Sequence, residues 1–159
     1  MFLRIEKFPE KTVVGKSVKM SLAQNRTAEV WQDFMRYKES IKDKVGTTLY
    51  SIQIYDALPY FENFNPTTEF TKWAAIEVNS TANIPNGFNL LRLESATYAV
   101  FLHKGLPSEF QKTIHYIFSQ WLPQSDYRLA DRPHFELLGE KYRKYEADSE
   151  EEVWIPIRK

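Results

Sequence analysis

Apolar and polar residues follow one another in two rhythms along this chain, and the switches between them outline its elements. From Phe2 to Met20 the pattern is that of extended chain, with Ile5, Phe8, Val13, Val14 and Val18 interrupted at Pro9 and Gly15. Two short strands or one bent strand fit it. Asn25, Arg26 and Thr27 then offer capping groups, and Val30, Trp31, Phe34, Met35 and Ile41 recur at helical spacing, which predicts an amphipathic helix over residues 27–42. Gly46 ends that region, and residues 50–55 alternate as a half-buried strand does. Residues 56–69, with Pro59, Asn63, Asn65 and Pro66, read as a loop. Extended chain resumes over 70–78, and a turn at 84–87 leads into strands over 88–93 and 97–103.

A second helix has the clearest local signal. Pro107 suits a first turn, Glu109 suits the positive end of the helix dipole, and Phe110, Ile114, Ile117, Phe118 and Trp121 form one apolar stripe. Pro123 is expected to stop it. A strand over 135–138, an irregular charged stretch over 140–152 and a last strand over 153–157 complete the chain, Pro156 being tolerated best at an edge or a strand end.

The order is strand, helix, strand, strand, given twice, over residues 11–78 and 97–157. Two such units can place their strands in one antiparallel sheet, with both helices laying their single apolar stripes against it. The expected class is therefore α+β, a single domain over 1–159. A duplicated unit and an ordinary α+β sandwich with unrelated halves both account for this order.

The size, 159 residues, is that of one ordinary domain, and 43% hydrophobic residues with 11 Phe, 9 Tyr and 4 Trp exclude a disordered chain. Lys plus Arg equals Asp plus Glu at 21 each, so there is no overall positive field of the kind that phosphate backbones select. Direct nucleic-acid binding is not expected. Cysteine is absent, which removes disulfides, thiolate zinc sites and cysteine nucleophiles. Apolar runs are far shorter than the ~20 residues a bilayer requires, and the N-terminus lacks a signal-peptide pattern. A cytoplasmic protein without membrane contact is the expectation.

Most catalytic motifs are missing: no Gly-rich phosphate loop, no Gly-x-Ser-x-Gly elbow, no His-Glu-x-x-His. His103, His115 and His134 are dispersed, and His134 with Glu136 lacks a third ligand, so neither a metal nor a cofactor is expected. Glu150, Glu151 and Glu152, with Glu146 and Asp148 before them, read as a solvated acidic run opposite Lys141, Arg143 and Lys144. Glu136 differs, being one carboxylate in an apolar strand, on the face opposite Phe135 and Leu137. If that face meets solvent, Glu136 does nothing, and the strand alone favours this because Glu is seldom buried. If it lines a cavity, the charge needs a cation or hydrogen bonds. The aromatic count exceeds what two helices and a small sheet need, and a ring-lined groove with one acid suits flat, apolar, often cationic molecules.

The second half carries a family resemblance. The segment 97–105 (Thr-Tyr-Ala-Val-Phe-Leu-His-Lys-Gly), the helix end 117–123, Tyr127, Arg132-Pro133, Phe135-Glu136 and the terminal 152–157 together resemble the gyrase-inhibitory-protein-like small-molecule-binding family. The same module serves as the effector-binding domain of AraC- and MerR-type multidrug regulators. Val13-Val-Gly15 and the Trp31 helix extend the likeness to the first half. The resemblance implies two strand-helix-strand-strand units and a central groove for lipophilic, frequently cationic ligands, with Glu136 projecting into it. It further implies aromatic walls, for which Trp31, Tyr55, Trp73, Phe101, Trp121 and Trp154 are the candidates. No DNA-binding helices precede residue 1, which argues for a stand-alone module rather than a complete transcription regulator. The loop with Pro59, Tyr60, Phe61 and Phe64 is unusually aromatic and is expected to serve as a lid or a partner surface.

Three functions follow from the resemblance. The leading one is an effector-binding module for lipophilic, aromatic or cationic molecules. The second is a metal-independent hydrolase of electrophilic cyclopropane-type compounds with Glu136 as base. The third is an interaction module with a protein partner, a regulator or gyrase.

Overall fold

The computed structural model describes residues 1–56, 65–143 and 146–159, so Pro59, Tyr60, Phe61 and Phe64 lie outside the described residues. The strands are β1 (Phe2–Phe8), β2 (Lys11–Met20), β3 (Lys44–Ile54), β4 (Phe70–Val78), β5 (Asn89–Leu93), β6 (Ala96–Lys104), β7 (Arg128–Leu129), β8 (His134–Leu138) and β9 (Glu150–Arg158). Helix α1 spans Thr27–Tyr37, and the second helical segment opens with α2, Phe110–Tyr116. No helix among the described residues is long and apolar enough to cross a membrane.

Several boundaries move for identifiable reasons. The helix expected over 27–42 becomes 3-10 at Lys38–Ser40, and Ile41 turns extended while remaining buried. Gly46, instead of ending a region, sits inside β3 at φ +65°, where the register with β4 shifts between Lys44 and Leu49. Pro123 does not stop the second helix. It has no N–H to donate, and the chain accommodates it by widening into a π turn over Ile117–Trp121, in which Leu122 N–H reaches back to the Ile117 carbonyl. A short α3, Leu122–Gln124, then carries Pro123 in its first turn.

The strands are antiparallel in the order β1-β6-β9-β8-β3-β4-β2-β5, with β7 paired to β9. Within it the first unit (β2, α1, β3, β4) contributes β3-β4-β2 and the second (β6, α2, β8, β9) contributes β6-β9-β8. Each unit thus sets its last strand between its other two, and the two meet back to back where β3 pairs β8. This is an α+β fold with a pseudo-twofold seam through the middle of the sheet.

The sheet is rolled, and chain geometry requires it. β1 and β2 stand six strand spacings apart, roughly 29 Å if the sheet were flat. Only Pro9 and Glu10 join them, and Phe8 and Lys11 cannot be more than about 11 Å apart. The roll buries one face on itself: Phe8, Tyr50, Trp73, Tyr98, Phe135 and Trp154 form a continuous aromatic core with Val13, Ile52 and Val100. Phe8 on β1 lies 5.0 Å from Phe135 on β8, three strands away, and 5.6 Å from Trp154. Such ring pairs add to the large apolar area already removed from water.

Gly15 is the tight point of β2. A Cβ there would sit 2.1 Å from the Ala74 carbonyl oxygen and 2.7 Å from Ala75 Cβ. Gly15→Ala is therefore expected to destabilise the protein by about 1–3 kcal/mol, read as a lowered midpoint in urea unfolding; an unchanged midpoint would contradict the close approach.

Candidate functional site

The other face of the sheet carries the helices, and they cover its flanks. Helix α1 buries Val30 and Phe34 against Val14, Ala74, Ile76 and Val78 of β2 and β4. The second helical segment buries Ile117 against Ala99, Phe101, Val153 and Ile155 of β6 and β9. Between them run β3 and β8, which beyond the Leu49–Leu138 pair turn polar residues to this face: Ser51 pairs with Glu136 and Gln53 with His134. Next to Gln53 on β4 stands Lys72. On β9, Glu151 shares the face of Val153, the residue paired with Glu136.

This places Glu136 on the floor between the helices, 6% exposed. Its Oε1 accepts a hydrogen bond from Gln53 Nε2 at 3.0 Å and lies 4.0 Å from Lys72 Nζ. Burial raises the pKa of Glu136, opposed by Lys72 and by hydrogen bonds from Gln53 and Ser51. Burial lowers that of Lys72, itself 7% exposed, against the pull of Glu136 and Glu151. Half-buried Glu151 is pushed up to about 8 by desolvation and then by Glu136, with Lys72 acting in the opposite sense. His134 is driven down to about 3 by burial and stays neutral. Tyr55 is raised by burial and by the nearby Glu136.

The aromatic candidates divide. Tyr55 lies by the floor, 5.0 Å from the His134 ring and 5.2 Å from Phe70. Trp31 packs against the core under α1, its ring 5.7 Å from that of Phe34, and its place at the floor stays an expectation of the family resemblance. Phe118, which the sequence offered only as a helix-core ring, stacks on His134 at 6.3 Å. The structure does not bring the other four to Glu136. Trp73 and Trp154 belong to the core inside the roll, on the opposite face. Phe101 is fully buried under the second helical segment, and Trp121 stacks on Phe2 at 5.0 Å at the β1 side. There Trp121 borders an open depression of about 280 Å³ with Tyr116, Gln120, Gln124 and Ser125.

Two charged residues of the floor escaped the sequence reading. Lys72 is a lone cation in an apolar strand, the same signal that singled out Glu136, and was legible there. Glu151 was assigned to a solvated acidic run, but residues 150–152 open β9, and strand alternation parts them. Glu152 turns to the other face, where it accepts from Trp154 Nε1 at 3.0 Å and pairs with Arg4 at 3.2 Å, while Glu151 turns to the floor.

A carboxyl whose folded-state pKa is raised contributes its full share of stability below its unfolded value and loses it as pH rises through the folded one. Glu151→Gln removes that loss. The variant should match wild type near pH 4–5 and gain on it toward pH 8 by at most about 1.4 kcal/mol per pH unit, as measured by urea unfolding. A constant difference across that range would mean that Glu151 is not desolvated.

Solved structures share this frame. SAV2435 bound to tetraphenylphosphonium superposes with a TM-score of 0.77 over 99% of this chain and 94% of that one, at 17% identity. The EcmrR C-terminal domain gives 0.69 over 100% and 99%, at 16% identity. A hydrolase encoded by lin2189 from Listeria innocua gives 0.61 over 98% and 91%, at 13% identity. At these identities the likeness is one of fold. No curated protein sequence matches the chain. The family model of the GyrI-like small molecule binding domain, however, matches residues 1–158, and with a match of that extent the chain belongs to the GyrI-like small-molecule-binding family.

Proposed function

We propose that the chain is an effector-binding module that takes lipophilic, aromatic or cationic molecules into the gap between α1 and the second helical segment, with Glu136 as the charged floor. The observation that carries this reading is the position of Glu136: a desolvated carboxylate on the central strands, flanked by the apolar stripes of the two helical segments, with Tyr55 and Phe118 at the adjoining His134. Burying a carboxylate among rings is costly, and a lipophilic cation offsets the cost by bringing a charge without a tight hydration shell. Tetraphenylphosphonium, held by a protein of the same fold, has this chemistry. The balance of 21 basic and 21 acidic residues supports a module that makes no direct contact with DNA.

Titration calorimetry with tetraphenylphosphonium and the neutral triphenylphosphine oxide tests the reading. Glu136→Gln keeps the shape and removes the charge, so the cation should weaken by about 1–3 kcal/mol and the neutral compound by little. Equal losses for both would make Glu136 structural, and no loss for either would place it outside the binding gap. In a mobility-shift titration at physiological salt, no sequence-dependent retention is expected; retention at about 10⁻⁸ M or tighter, the range of specific complexes, would overturn that part.

A further inference from the structure

The floor of the gap holds more charge than one carboxylate. Three ionisable side chains from three strands converge there: Glu136 from β8, Lys72 from β4 and Glu151 from β9. Lys72 and Glu136 are each under a tenth exposed and lie 4.0 Å apart, with Gln53 next to both across the sheet. Glu151 feels both charges from two residues along the neighbouring strand. Among the described residues, the other titratable groups that face the cluster are His134 and Tyr55, both held neutral by burial. His103, paired with Glu151 on β6, is engaged with Thr113 Oγ1 at 2.7 Å and the Leu106 carbonyl at 3.3 Å.

With all three groups ionised, the cluster carries two carboxylates and one ammonium, a single negative charge. The ammonium is part of the protein, so one carboxylate is answered before any ligand arrives. We propose that Lys72 is the specificity-determining residue of the gap: it stands as the resident cation of the cluster, limits the charge the gap accepts to one ligand cation, and makes Glu151 a second binding carboxylate beside Glu136. This rests on the reading of the gap as the ligand site. A dication entering next to Lys72 would leave one positive charge uncompensated in a desolvated site, which is disfavoured. A monocation completes the balance.

Ethidium and propidium share a phenanthridinium ring and differ in carrying one and two positive charges, so their affinity ratio reads charge with shape largely held. The experiment is a fluorescence titration of both dyes at pH 8.5 with wild type, Lys72→Met, Lys72→Arg and Glu151→Gln, each checked for a cooperative thermal transition. Wild type should bind ethidium with no advantage to propidium. Lys72→Met should shift the ratio toward propidium by about tenfold, a difference of 1.4 kcal/mol, and Lys72→Arg should keep the wild-type ratio. Glu151→Gln should weaken ethidium by about tenfold in a folded protein, and this arm decides alone should Lys72→Met fail to fold. An unchanged ratio in Lys72→Met, or wild-type ethidium affinity in Glu151→Gln, overturns the proposal. If wild type binds neither ethidium nor tetraphenylphosphonium, it is the reading of the gap itself that fails.

Discussion

A sheet whose two ends are tied by two residues must roll, and a rolled sheet must fill its own interior. Everything else in this molecule depends on that constraint. Six large rings and their aliphatic neighbours occupy the space inside the roll and form a core of their own without help from the helices. The helices are thereby released from roofing the centre of the sheet. Each lays its main apolar stripe on the flank of its own unit, and the seam between the units carries buried polar side chains.

The seam also explains why its charges can be buried at all. Ser51, Gln53 and Lys72 come from one unit and Glu136, His134 and Glu151 from the other, so the hydrogen bond and the ion pair of Glu136 both cross the pseudo-twofold axis. Their cost in desolvation is returned in part through these contacts, and every buried side-chain nitrogen or oxygen among the described residues has a partner. The two units share a frame but not a chemistry. Where one presents Glu136, the position across from it presents the small Ser51.

Most of the frame was legible because period, caps and turns are local. The two helices and the strands of both units stood where alternation and helical spacing put them, and the lone carboxylate of 135–138 pointed to the floor once the family pattern was added. What escaped reading was non-local. The aromatic surplus looked like a ligand wall because nothing in Trp73 or Trp154 tells that the second face of the sheet closes on itself; only the pairing of strands distant in sequence creates that interior. Glu151 was lost inside a run of like residues, since a string of three glutamates has no internal sign of where a strand begins. Pro123 misled for the opposite reason, a strong local rule being overridden by one wider turn upstream.

The link between β1 and β2 has a mechanical consequence. The distance between the two helices is set by the curvature of the sheet beneath them, as the spine of a book governs how far its covers stand apart. Pro9 and Glu10 clasp the far margins of that sheet, well away from Glu136, and with proline's fixed φ the clasp has little slack. The spacing of the helices over the polar seam is thus set from the back of the molecule, by a two-residue strap that touches none of the groups at the seam.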